Sequence, residues 1–220
     1  GLIDLNGIPY VYSSSEDDDG HLHRFDIPAH QWESLPLPPS KRRMYHACAL
    51  AGKLFVGGGY ILDIQNSGLM PPVYSIECFD PATLQWACLP RMHSLRGDAA
   101  LASDDHFLYA CAGIGGEEDD VGIVKTAERF DTLAWQWEKC PSMSTDWEAE
   151  SCMPWAVASS GHIYMRSSAT VEHFNVSCQE WRVIESPSSD PAWMSRDDST
   201  FAFRGSFFVL SSTSLSQYER

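Results

Sequence analysis

The 220-residue sequence predicts an all-β fold of repeated four-stranded antiparallel units, a β-propeller, on three observations. Four segments carry an aromatic residue with a tryptophan seven positions later: Phe25 and Trp32, Phe79 and Trp86, Phe130 and Trp137, Phe174 and Trp181. A fifth copy begins at Tyr218. Upstream of each aromatic lies an apolar run closing on two small residues: IPYVYSS, KLFVGGG, FLYACAG, HIYMRSS and FFVLSS. Finally, no window of about 11–18 residues keeps an i, i+3, i+4, i+7 apolar stripe, whereas runs of about five to eight residues between Gly, Pro, Asp and Ser read as strands.

Each element of the unit has its own reason. The first strand is an apolar stretch such as HACALA or AALASDD, closed by a tight turn at Ala51-Gly52-Lys53 or Ser160-Gly161-His162. The second strand ends at the small pair. The third carries the Glu-aromatic-Asp triplet and the fourth carries the Trp. Asp80-Pro81 and Asn175-Val176 join these last two, where a short Asx side chain can hydrogen-bond the turn it starts. Four strands in about 50 residues make one propeller blade. The blades are expected at about 1–38, 44–92, 97–143 and 150–187, with a partial fifth at about 198–220. The distance from Trp to the next small pair is 27 residues twice and then 31 twice, while small pair to aromatic varies as 11, 20, 17, 6 and 6. A constant frame with one variable insertion point describes a repeat array with adaptable loops.

These residues resemble the kelch-repeat family, most closely the kelch-like proteins. The stretch from Arg42 to Met92 carries the resemblance best, with Gly58-Gly59 at the family's double glycine, Phe79 at its aromatic and Trp86 at its tryptophan. Arg96 to Met143 follows, with Ala112-Gly113 at the glycine pair; Ser13-Ser14, Ser167-Ser168 and Ser211-Ser212 depart from it. The resemblance implies a kelch-type propeller, usually of six blades. The register starts the chain at the first strand of blade 1 and ends it in the third strand of blade 5. A fragment of a larger ring with exposed edges is therefore expected.

Alternating strand directions put the strand 2–3 loops and the blade-to-blade connections on one face. Two of those loops carry dense acid: Glu16, Asp17, Asp18 and Asp19 in the first blade, and Glu117, Glu118, Asp119 and Asp120 in the third. They read either as a docking rim for a basic partner or as solvated loop tips. Arg43 and Arg96 lie near the start of a first strand, where some family members contact ligand; a framework ion pair with Glu77, Glu128 or Glu172 is the other reading. Trp147 and Trp193 fall in connections on that face and are candidate partner contacts, whereas the four repeated tryptophans are core.

Composition narrows the function. Fifteen basic against 30 acidic residues give a net charge of −15, which argues against a grip on nucleic acid or anionic lipid. No membrane span is expected. Seven cysteines without a C-x-x-C pair, several inside apolar runs, point to buried thiols in a reducing cytoplasmic or nuclear setting. In EDDDGHLH, His21 and His23 share one side of a strand, but no calcium-loop pattern follows, and no metal ligand is assigned. No nucleophile–base–acid set is readable, so no catalytic residue and no cofactor are expected. The expected function is a non-catalytic module presenting loops to a protein partner. By resemblance it is the substrate-recognition part of a cullin-type ubiquitin-ligase adaptor, linked through regions outside this chain. The alternatives are an actin- or cytoskeleton-binding kelch protein and a propeller enzyme of the galactose-oxidase type, whose Tyr, His and cross-linked Cys ligands find no place here.

Overall fold

The computed structural model describes residues 1–13, 20–43, 45–61, 73, 75–97, 99–117, 120–143, 154–166 and 171–184, and the strand backbone at 199–203, 206–210 and 215–218; of residues 43, 117, 120 and 121 it describes the backbone. Four four-stranded antiparallel sheets follow one another. Blade 1 is β1 (Leu2–Leu5), β2 (Ile8–Ser13), β3 (His21–Asp26) and β4 (Gln31–Ser34). A short β5 (Arg42–Arg43) leads to blade 2, formed by β6 (His46–Leu50), β7 (Lys53–Gly57), β9 (Ile76–Asp80) and β10 (Gln85–Cys88), with β8 (Tyr60–Ile61) leaving its second strand. After β11 (Leu95–Gly97), blade 3 comprises β12 (Ala100–Ser103), β13 (Phe107–Cys111), β16 (Ala127–Asp131) and β17 (Gln136–Lys139). Its second and third strands are joined through β14 (Ile114–Glu117) and β15 (Asp120–Ile123). Blade 4 is β18 (Trp155–Ser159), β19 (His162–Arg166), β20 (Val171–Asn175) and β21 (Glu180–Ile184). Blade 5 has three strands among the described residues, β22 (Ser199–Phe203), β23 (Ser206–Leu210) and β24 (Leu215–Tyr218). This is the all-β propeller that the repeat predicts.

The first strands β1, β6, β12, β18 and β22 neighbour one another in succession and form the inner wall. The turns that leave them at Asn6-Gly7, Ala51-Gly52 and Ser160-Gly161 have two successive positive φ values, the hairpin geometry that matches strand twist. At the 3–4 turns, Asp26, Asp80, Asp131 and Asn175 each accept backbone N–H bonds through Oδ1, from Ala29, Ala82, Leu133 and Ala134, and Ser177 and Cys178 respectively. Each of those turns ends in a left-handed residue that is not glycine: His30, Leu84, Trp135 and Gln179.

The core lies between blades. Leu5, Tyr10, Tyr12 and Leu22 of blade 1 pack on Leu54, Val56 and Phe79 of blade 2. Phe55 and Ile76 of blade 2 meet Leu108, Phe130 and Trp137 of blade 3. Tyr109 and Cys111 of blade 3 meet Ile163, Met165 and Phe174 of blade 4. The repeated aromatic and tryptophan are direct cross-strand partners, Phe79 with Trp86, Phe130 with Trp137 and Phe174 with Trp181, their ring centroids 5.0–5.2 Å apart. The seven-residue spacing is therefore the length of the Asx turn plus the register on each side of it.

The tryptophans of blades 2, 3 and 4 also tie each blade to the one before. Trp86, Trp137 and Trp181 donate their indole N–H, all at 2.9 Å, to the carbonyls of Pro36, Pro90 and Pro141, which follow the fourth strand of the preceding blade. In blade 1 the arrangement is open: Trp32 packs edge-on against Phe25 at 5.2 Å and is 50% exposed. Core packing thus describes Trp137 fully and Trp32 only in part, because no blade among the described residues covers its outer side.

Candidate partner-binding face

The connections between blades and the loops from second to third strand are hydrogen-bonded to each other, which places them on one face. Incoming β5 pairs with outgoing β8, Arg42 opposite Ile61 and Arg43 opposite Tyr60. Incoming β11 pairs with β14, and β14 turns into β15 with Glu117 opposite Asp120. The insertions of blades 2 and 3, legible in the sequence as loops of variable length, begin as strand. Backbone groups that pass over a buried interface need partners, and the neighbouring connection supplies them.

Beneath these small sheets lies a buried arginine. Arg42 donates through Nη1 to the carbonyls of Gly58 (3.1 Å) and Ser75 (2.7 Å), and through Nη2 to Ser75 Oγ (2.8 Å). Its guanidinium lies 3.4 Å from Glu77, which also accepts from the Ser40 amide and hydroxyl. Blade 3 repeats this arrangement. Arg96 donates through Nη1 to Ala112 (3.0 Å) and Thr126 (2.8 Å), and through Nη2 to Thr126 Oγ1 and Glu128 Oε1. Glu128 accepts further bonds from the His93 and Ser94 amides. Burial would raise the Glu128 carboxyl, yet the His93 amide and the Arg96 charge hold it below the ordinary carboxylate range. Burial lowers both guanidinium groups, opposed chiefly by Glu77 and Glu128.

The glycine pair has a specific task here. Gly58 and Gly59 are left-handed, at φ 69° and 77°, and so turn the Gly58 carbonyl toward Arg42. A Cβ at Gly58 would stand 3.1 Å from the Arg96 carbonyl oxygen, tighter than ordinary contact, and the positive φ would strain any side chain there. Ala112 adopts the same sign of φ, at 54°, and its carbonyl serves Arg96. Blade 4 departs from the pattern: Arg166, at the end of its second strand, is buried in register next to the buried Glu172.

Of the residues singled out from sequence, Arg96 is brought into the framework: it is 0% exposed and its donors are directed at Ala112, Thr126 and Glu128, so it offers nothing to a partner. Arg42, not Arg43, is its counterpart. The signal was present, since Arg42 and Arg96 each precede the first residue of the next inner strand, His46 or Ala100, by four positions. Arg43 has its backbone in β5 on the loop face. Glu117 and Asp120 are paired across the β14–β15 hairpin. Glu16, Asp17, Asp18, Asp19, Glu118, Asp119, Trp147 and Trp193 lie outside the described residues. Among the described residues no three His, Cys, Asp or Glu side chains gather in a metal-binding group. The six described cysteines are free thiols; burial pushes Cys48 up to about 12 and Cys140 up to about 11.

Sequence reasoning missed Trp155. It lies on inner strand β18 of blade 4 and reaches His46 on inner strand β6 of blade 2, so two blades that are not neighbours touch across the middle of the ring. Nothing in the repeat marks it.

The Kelch motif matches this chain at residues 41–93 and 95–144. The chain is 25% identical over 146 residues to alpha-scruin of Limulus polyphemus, which covers 64% of this chain and 14% of that one. It is 26% identical over 139 residues to a RING finger domain and kelch repeat-containing protein of Dictyostelium discoideum, covering 61% and 13%. An F-box/kelch-repeat protein of Arabidopsis thaliana is 28% identical over 90 residues, covering 41% and 21%. The chain thus spans about a fifth or less of the length of these relatives. The solved structure of YjhT superposes with a TM-score of 0.73 at 14% identity, over 94% of this chain and 70% of that one, and shares its fold.

Proposed function

Because the chain belongs to the kelch-repeat family, we propose that it is a non-catalytic recognition module whose loop face, over blades 1 to 3, receives a protein partner with a basic surface. One observation carries this reading: the loop face is built rather than merely long. Its segments are paired as β5–β8 and β11–β14–β15 and stand on the buried Arg42–Glu77 and Arg96–Glu128 pairs, so a contact surface is held in place before a partner arrives. The β14–β15 hairpin pairs Glu117 with Asp120 at its end, the sequence between them is Glu118-Asp119, and the chain as a whole has a charge of −15.

Within this reading we favour the substrate-recognition part of a cullin-type ubiquitin ligase. The support is that two relatives join kelch repeats to a RING finger and to an F-box in one protein. Two experiments test the two levels. Reversing Glu117, Glu118, Asp119 and Asp120 to lysine leaves the thermal unfolding midpoint in place and weakens partner binding, with a shallower salt dependence; unchanged affinity sinks the docking face. Co-purification of a cullin with the full-length protein, lost when the regions outside the propeller are removed, supports the ligase level, and its absence leaves the recognition module without that assignment.

A further inference from the structure

The aromatic residue of each third strand serves as a ruler for the positions before it. Two residues before Phe79 and Phe130 stand Glu77 and Glu128; four residues before stand Ser75 and Thr126. These are the carboxylate and hydroxyl that grip the guanidinium of Arg42 and Arg96. In blade 1 the same two positions before Phe25 are His23 and His21. The place that binds a cation in blades 2 and 3 is built in blade 1 from two imidazoles. Imidazole is a poor receptor for a guanidinium but a good ligand for a transition-metal ion.

The geometry fits that use. His21 and His23 project from the same side of β3, their ring centroids 5.3 Å apart and their planes inclined by 45°. Zn–N bonds of about 2.0–2.1 Å set each ring centre about 3.2 Å from the metal, so two imidazoles at a tetrahedral angle stand about 5.2 Å apart. The second shell is also present. Ser34, directly opposite His23 on β4, places its Oγ 3.2 Å from His23 Nδ1. A proton on Nδ1 donated to Ser34 leaves Nε2 as the metal-binding lone pair and fixes the ring. The other close histidine pair contrasts with this one: His162 and His173 are stacked with planes 6° apart, which aims their nitrogens side by side rather than at a common point.

We propose that His21 and His23 form a two-imidazole site for a divalent transition ion on blade 1, oriented by Ser34 and completed by water. The site stands at the end of β3 that follows the strand 2–3 loop of blade 1, and so borders the proposed partner-binding face without using the buried Arg42–Glu77 and Arg96–Glu128 pairs.

Titration of the untagged 220-residue protein with zinc chloride by calorimetry tests it. The wild type takes up one Zn2+; His21→Ala and His23→Ala each weaken it at least tenfold, and Ser34→Ala weakens it about tenfold. His30→Ala, at an exposed turn of the same blade, leaves it unchanged. Absence of Zn2+ uptake by the wild type, or unchanged affinity in either histidine variant, overturns the site. Copper(II) bound to the wild type gives a second readout that needs no variant: hyperfine splitting from two equivalent-type nitrogens is expected, and coupling to one nitrogen or none overturns the proposal.

Discussion

The His46 ring meets the Trp155 ring edge to face, centroids 5.4 Å apart and planes at 87°, although the two residues belong to blades separated by another blade. His46 is buried, and burial pushes its imidazole down to about 4. The folded value lies below the unfolded value of about 6.5, so below that pH the unfolded chain binds the extra proton and gains on the fold. Stability from this group is complete above about pH 6.5 and is lost progressively as pH falls toward 4, by about 3 kcal/mol in all. Urea denaturation at pH 7 and at pH 4.5 measures it, and His46→Gln removes this share of the pH dependence.

The indole–proline bonds predict a contrast between equivalent residues. Trp137→Phe keeps an aromatic ring but leaves the Pro90 carbonyl without its donor, at a cost of about 1 kcal/mol. Trp32→Phe, at a half-exposed position, changes stability by less than about 0.5 kcal/mol. Equal losses at the two sites contradict the role assigned to the bond.

Removal of Arg96 tests the buried ion pair. Arg96→Met leaves the Glu128 carboxylate buried without its cation and destabilises by about 3–5 kcal/mol. Adding Glu128→Leu to Arg96→Met recovers a large part of that loss, since two apolar groups can replace a buried pair where one uncompensated charge cannot. Arg42→Met behaves like Arg96→Met. The measurement is the denaturation midpoint of each variant.

The 3–4 turns predict a gain. Leu84 is held at φ 57° by the turn bond from its amide to the Asp80 carbonyl, a conformation that a side chain disfavours. Leu84→Gly relieves that strain and stabilises by about 0.5–1 kcal/mol after the greater entropy of glycine in the unfolded chain is subtracted. Leu84→Ile, branched at Cβ, destabilises. The two midpoints, moving in opposite directions, check the assignment.

The propeller was legible in the sequence because its period is set by backbone register. Phe79 and Trp86 must be seven apart whenever an Asx turn closes a hairpin with those two residues opposite each other. The buried arginines were half legible. Arg96 stood alone, but Arg42 and Arg43 are adjacent, and in a strand adjacent side chains point to opposite faces, so only the offset to His46 separates them. The strand character of β8 and β14 was not legible, since two to four residues form a strand there only because a connection far back in the chain passes alongside. Trp155 was invisible for the same reason: its partner His46 is 109 residues away, and their contact follows from how the inner strands of blades 2 and 4 come together, not from any local pattern.

The acceptor of each indole N–H is a main-chain carbonyl that precedes no side-chain choice in the neighbouring blade beyond a proline. Every polypeptide has such a group, so a blade carrying its own tryptophan can follow any blade that exits through proline, without a matched change on the other side. A propeller joined in this way can lengthen by duplication of one unit and still close each new seam. The units can then differ in sequence, as blade 4 does at Arg166 and Ser167-Ser168, while the clasp of Trp181 on Pro141 keeps the form it has in blades 2 and 3.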